Sequence, residues 1–243
     1  MLIRTSARTS DGQGQRKCEP HVGRTRVPHG RISLVGRGLA RKHQFVILDW
    51  PETAPLSDQV LYLADVLDRN PVVQAVLSVA VEMNLPDWYL AASGVSQTVW
   101  NVRHGFEAAQ GIKDYDLVYF DPDADQAAGD GIEREFIERL AGFNVELDVK
   151  NEAFVHRWYG QRFGTTIAQY HSTGHAISTW PTTASSVGVR PGSDGLVVCA
   201  PYGLADLLGM VARPNKSIVT RDVYEEKTRR WAARWPRLTV IPW

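Results

Sequence analysis

Two stretches of this chain carry acidic residues one position apart inside otherwise apolar runs. They are Asp114 and Asp116 in Gly111-Ile-Lys-Asp-Tyr-Asp-Leu-Val-Tyr-Phe-Asp121, and Glu146 and Asp148 in Val145-Glu-Leu-Asp-Val-Lys-Asn151. An unpaired charge buried in such a run costs several kcal/mol, so the acids must meet either water or a cation. Residues two apart on a β-strand share a face. Asp114 and Asp116 would therefore point one way, and Tyr115 and Leu117 the other. Glu146, Asp148 and Lys150 would likewise share a face, opposite Val145, Leu147 and Val149. If the two strands are neighbours, three or four carboxylates converge and repel one another, and their pKa values rise. A divalent cation relieves that repulsion. The donors are hard oxygens with no Cys or His among them, which favours Mg²⁺ or Mn²⁺ over Zn²⁺. Lys150, on the same face, would balance the acids or touch a phosphate. Alone, an Asp-x-Asp pair is a weak signal, because such pairs also decorate exposed strand ends.

The elements around the acids add to it. Trp88-Tyr-Leu-Ala-Ala92 reads as a short buried strand, Ser93-Gly94 as a turn, and residues 95–104 as a helix. A glycine at a strand-to-helix turn lets backbone N–H groups approach a phosphate, and a helix N-terminus favours anions. Residues 114–121 form the second strand. The next helix is marked by Ile132, Phe136 and Leu140 at helical spacing. Residues 145–149 alternate strictly and form a third strand. Upstream, Ser57 is placed to cap a helix running to about Asp68. Asn70-Pro71 opens another, apolar at Val72, Val73, Val76, Leu77 and Val81, which Leu85-Pro86 ends. Downstream come a helix over 152–160, a hairpin over 186–200 turning at Pro191-Gly-Ser-Asp-Gly195, and a basic helix over 222–235.

A possible phosphate cradle, an acidic pair and a third acidic strand form a set. Trp88-Tyr-Leu-Ala-Ala-Ser-Gly-Val-Ser-Gln-Thr-Val-Trp100, the 111–121 run and the 145–151 run together resemble the DNA polymerase β superfamily of nucleotidyltransferases. More closely they resemble a bacterial nucleotidyltransferase-like family within it. That likeness covers about residues 55–243 and includes Thr179-Trp-Pro-Thr-Thr183 and Arg213-Pro-Asn-Lys216. It implies an α+β fold, a small mixed β-sheet flanked by helices. It also implies that Asp114 and Asp116 hold a metal pair (Mg²⁺ or Mn²⁺) and that Asp148 is the third carboxylate, with Glu146 its rival on the same face. Ser93, Gly94, Ser96 and Lys150 are the implied nucleotide-handling residues, and a nucleoside triphosphate is the implied substrate. The chain departs from many relatives in carrying Ser-Gly where they have Gly-Gly. It has Ser96-Gln97 where tRNA-extending members have Arg-Asp, so their RNA substrate does not carry over.

At 243 residues with 44% apolar content, the chain has ordinary globular composition, and no apolar run reaches membrane-spanning length. Cys18 and Cys199 lie too far apart in sequence for a local motif, so the expected compartment is a reducing cytoplasm. Residues 1–45 hold ten Lys and Arg against Asp11 and Glu19, leaving the rest of the chain acidic overall. They read as a basic, disordered tail preceding a domain over 46–243, with a core at about 55–165 and an extension at about 166–243.

Other features have simpler readings. Asp121-Pro-Asp-Ala-Asp125 lacks the glycine and glutamate of a calcium loop and reads as a solvated loop. His171 and His175 have helical spacing but no companion ligand, and His156 reads as packed. Tyr224, Trp231 and Trp235 read as core with arginines turned outward, while Arg213 and Lys216 are phosphate candidates. Two further functions compete with an enzyme: a non-catalytic nucleotide-sensing module on the same fold, and a nucleic-acid-binding protein using the basic tail.

Overall fold

The computed structural model describes residues 51–143 and 145–243. The expectations for the basic tail, for a folded start near Phe45 and for Cys18 lie outside the described residues.

Helix α1 (Leu56–Asp68) begins after Pro55, with no side-chain cap. Ser57, expected as its cap, sits inside the first turn and donates its hydroxyl hydrogen to Asp58. Asn70 behaves as its type predicts. Its side-chain oxygen accepts the N–H groups of Val72 and Val73 at the start of α2 (Pro71–Met83), and Asn84, left-handed at φ 48°, ends that helix. There follow β1 (Tyr89–Ala91), α3 (Ala92–Arg103), β2 (Asp114–Tyr119), α4 (Gln126–Arg139) and β3 (Glu146–Asn151). A single 3₁₀ turn, Glu152–Phe154, leads into α5 (Val155–Phe163). Beyond it lie α6 (Thr173–Ile177), the hairpin β4 (Gly188–Gly192) and β5 (Gly195–Cys199), then α7 (Ala205–Leu208), β6 (Val211–Ala212), α8 (Arg221–Arg234) and β7 (Thr239–Val240).

Five strands form one mixed sheet in the order β3-β2-β1-β4-β5, and β6 pairs with β7 in a small parallel ribbon. The pairing of β2 with β3 is parallel, and the other contacts in the large sheet are antiparallel. A parallel neighbour needs a crossover, which α4 supplies by burying Phe136 and Leu140 against the sheet. One sheet face carries Leu90, Tyr115, Leu117 and Tyr119 into the main core with α1, α2 and α3. The opposite face carries Tyr89, Ala91 and Val118 into a smaller cluster with Ile177 and Cys199. Period-two alternation thus holds on β2, and it places Asp114 and Asp116 on the face away from the main core.

The strand-to-helix corner differs from the expected glycine turn. The left-handed residue there is Ala92, at φ 45°. Ser93 and Gly94 already belong to the first turn of α3. Gly94 is needed for packing: a Cβ built on it would lie 2.9 Å from Tyr115 Cδ1 and 3.4 Å from Leu90 Cδ1. Tyr115 is fully buried, and its hydroxyl accepts from Asn70 Nδ2 at 3.2 Å, so the ring has little room to yield. Gly94→Ala is expected to destabilise the protein by about 1–2 kcal/mol, because overpacking outweighs the ~1 kcal/mol that alanine gains in a helix. A chemical-denaturation midpoint at or above that of the wild type would contradict this.

Candidate nucleotide-binding site

The acids meet where β2, β3 and the N-terminus of α3 come together. The register pairs Asp114 with Glu146 and Asp116 with Asp148. Ala91, at the end of β1, stands opposite Asp116 on its other side. The backbone N–H of Ser93 donates to Asp116 Oδ2 at 3.2 Å, so the first turn of α3 is aimed at this carboxylate. Burial, reinforced by the charges of Asp114 and Asp148, pushes the Asp116 carboxyl up to about 6, against the opposing pull of the Ser93 hydrogen bond and Lys150.

Side-chain placement narrows the expected set. Lys150 forms an ion pair with Asp148 and draws it to one side. Glu146 is exposed at the head of β3. As placed, no three His, Cys, Asp or Glu side chains among the described residues stand close enough to share one metal ion. The expected convergence of three or four carboxylates is therefore met in strand register but not in side-chain position. The chemistry of the remaining donors does suit a divalent ion, since a half-buried carboxylate is held between two others that raise its pKa. Ser96, expected to handle nucleotide, is buried and donates its hydroxyl to the Ala92 carbonyl at 2.9 Å, which turns it into its own helix. Gly94 touches the core instead of the pocket.

A pocket of about 140 Å³ opens beside the acidic pair, lined by Ser93, Asp114, Asp116, Trp180, Lys227 and Trp231 among others. Three of these come from the C-terminal third of the chain and were not anticipated. Trp180 is held by an interlock between the two motifs that the sequence resemblance singled out. Asn215 N–H donates to the Pro181 carbonyl at 3.0 Å, Thr183 N–H to the Arg213 carbonyl at 3.1 Å, and Asn215 Nδ2 to the Ser178 carbonyl at 2.7 Å. Trp231 on α8 and Trp235, which caps the C-terminus of that helix, pack edge-on against Trp100, with ring centroids 5.0 and 5.2 Å away, and the docking of α8 places Lys227 over the pocket. A larger groove of about 330 Å³, lined by Tyr224, Thr228, Arg229 and Trp243, shares no residue with the acidic pocket.

The two cations expected near phosphate are engaged elsewhere. Arg213 makes a two-pronged contact with Asp206 at 2.9 and 3.2 Å, and Lys216 lies 5.0 Å from the Trp243 ring centroid. Asp121 and Asp125 serve local backbone: Asp121 accepts from the N–H groups of Asp123 and Ala124, and Asp125 caps α4 through Ala128. His171 precedes α6 and its ring stacks 5.5 Å from that of His175.

Sequence reading also missed Glu152, which looked like an ordinary acid at a helix start. It is 4% exposed, and burial pushes its carboxyl up to about 8, with Lys150 opposing and Asp116 and Asp148 adding to the rise. Its folded-state pKa is raised, so its contribution to stability is complete below about pH 4.5 and is lost as pH climbs towards 8. Glu152→Gln is expected to stabilise the metal-free protein by about 2 kcal/mol at pH 7 and to flatten the fall in stability between pH 5 and 8. Parallel melting curves across that range, with a variant that tracks the wild type, would contradict it.

An acidic pair beside a helix N-terminus, facing a lysine across a small pocket, is suited to substrate phosphates, and the chain belongs to the nucleotidyltransferases. A sequence model of the nucleotidyltransferase family matches residues 78–240, more than half of the chain and all of the site. The chain is also similar to a solution structure that reveals a CCA-adding enzyme head domain, with 23% identity and a TM-score of 0.63, over 75% of this chain and 96% of that one. That likeness concerns the fold. No curated protein matches. Among the described residues, no helix is long and apolar enough to cross a membrane.

Proposed function

We propose that this nucleotidyltransferase is metal-dependent and moves a nucleoside monophosphate from a nucleoside triphosphate to an acceptor hydroxyl. The observation that carries this reading is Asp116: a half-buried carboxylate facing the pocket, raised to about 6, between Asp114 on its own strand and Asp148 in register on the next. Asp114 and Asp116 would hold divalent ions, Mg²⁺ or Mn²⁺, and Asp148 would join them on release from Lys150. Ions bound there supply Lewis-acid stabilisation of the charge that develops on the acceptor and leaving oxygens. The new bond joins the acceptor oxygen to the α-phosphorus, the α–β phosphoanhydride breaks, pyrophosphate leaves and the acceptor proton passes to solvent.

The residues of the chain bind and orient. The first turn of α3 directs N–H groups at the acidic pair and its ligands. Lys150, once free of Asp148, and Lys227 face the phosphates. Trp180 and Trp231 wall the pocket and exclude water from it. The mixed sheet, with acids on adjacent parallel strands, also supports membership of the DNA polymerase β superfamily.

The test is pyrophosphate release from each of the four common ribonucleoside triphosphates, with Mg²⁺ or Mn²⁺, in the presence of RNA, protein and small hydroxyl acceptors. Turnover that EDTA abolishes supports the proposal, and turnover indifferent to EDTA overturns it. The ion pair between Lys150 and Asp148 favours one second reading, a module that binds nucleotide without turning it over. That module would show saturable nucleotide binding with no pyrophosphate release under any of these conditions.

A further inference from the structure

The pocket beside Asp114 and Asp116 also holds a lysine side chain. Lys227 reaches it from α8, more than a hundred residues along the chain from the acids. Its ammonium lies 5.5 Å from the Trp231 ring centroid, so an aromatic face holds it in place. Asp116 and Asp114 both favour its charged form, while burial, the largest influence, opposes it. The other cation near the acids, Lys150, is paired with Asp148.

We infer that Lys227 is a built-in counter-ion for the Asp114/Asp116 pair, displaced onto substrate phosphate when a divalent ion and a nucleotide bind together. This rests on the proposed role of the acidic pair in holding metal. An ammonium and a divalent ion cannot both lie against two carboxylates without repelling each other. Lys227 forms no direct ion pair with either acid but lines the same small pocket, and Asp114 and Asp116 are the anionic side chains among its described lining residues, so a metal ion arriving alone meets a competing charge. A triphosphate brings new anionic oxygens, the lysine transfers to them, and the acids become free for the ion. Metal and nucleotide therefore bind cooperatively, and by linkage each strengthens the other. An enzyme so built holds metal more weakly while the site has no nucleotide.

The test uses the full chain and Mn²⁺ as the probe metal, followed by electron paramagnetic resonance without nucleotide. Lys227→Gln is expected to bind Mn²⁺ about tenfold more tightly than the wild type, while Lys227→Arg, which keeps the charge, stays close to it. In EDTA, Lys227→Gln is expected to bind α,β-methylene ATP about fivefold more weakly, because the phosphates lose their partner. If Lys227→Gln binds Mn²⁺ no more tightly than the wild type, including the case where neither binds measurably, the inference is overturned. Circular dichroism establishes that the variant is folded. Should it not be, Lys227→Met, which keeps the aliphatic stem against Trp231, takes its place in both titrations. Asp116→Asn separates the two levels. If it leaves wild-type Mn²⁺ binding unchanged, the metal role of the acids falls and the lysine's role falls with it. If it abolishes that binding while Lys227→Gln matches the wild type, only the lysine's role falls.

Discussion

An Asp116→Asn protein is expected to lose nucleotidyl transfer by about a thousandfold or more, yet to melt above the wild type when no metal is present. The two effects have one origin. Burial and two neighbouring carboxylates raise the Asp116 carboxyl from 3.8 to about 6. Between those values the folded state keeps a proton that the unfolded chain has released, so stability falls as pH rises through the window. Above about pH 6 the full penalty applies, on the order of 2 kcal/mol, or roughly 4–8 °C in melting temperature for a chain of this size. Asparagine carries no charge and keeps an oxygen to accept the Ser93 N–H. The stability gap between variant and wild type should narrow from pH 7.5 to pH 5, where the wild-type carboxyl is itself mostly protonated. Scanning calorimetry in EDTA at both values reads this directly. A variant that is less stable at pH 7.5, or that keeps its activity, would show that Asp116 is not a strained metal ligand.

Trp100→Ala should have the largest effect on stability and should also reach the site. Trp100 is fully buried in α3 and packs edge-on against both Trp231 and Trp235 of α8. Truncating such a side chain costs about 3–5 kcal/mol, through lost transfer energy and the cavity left behind. The Trp100 Nε1–H has no acceptor among the described residues, so its loss returns a little of that cost. The cavity would lie beneath Trp231, one helical turn beyond Lys227, so nucleotide affinity should fall together with stability. Trp100→Phe, which keeps a ring and removes the unpaired N–H, should cost less than half as much. A Trp100→Ala melting temperature within about 2 °C of the wild type would mean that the three indoles do not anchor α8.

What was legible in sequence was written in local spacing. Strict alternation on β2 and β3 put Asp114 with Asp116, and Glu146 with Asp148, on shared faces; the strand register and the preference for Asp148 over Glu146 lay outside that pattern, the latter resting on the family resemblance. Asn70 as a cap, the α4 positions Phe136 and Leu140, and the hairpin at 188–199 followed from equally local rules. What was missed depends on contacts between distant segments. Nothing near Lys227 distinguishes it from Arg229 or Arg230; only the docking of α8 on Trp100 gives it the pocket. Trp180 becomes a pocket wall through hydrogen bonds from residues 213–215, more than thirty positions later. Glu152 resembles any acid at a helix start until the fold buries it. Gly94 was read as a phosphate-approach glycine because its identity shows only that a side chain is excluded. The structure shows that the excluding neighbour is the Tyr115 ring.

Strand β3, which carries Asp148, is also an outer strand of the sheet among the described residues, with no strand of theirs on its far side. Outer strands invite a second molecule to add to them, and charges along them prevent it. Glu146, Asp148 and Lys150 therefore place charge along the strand to which a second molecule would have to add. Neutralising all three at once to probe the chemistry would leave that outer edge without its charges. Such a protein should self-associate as its concentration rises, and its lost activity would then report aggregation as much as catalysis.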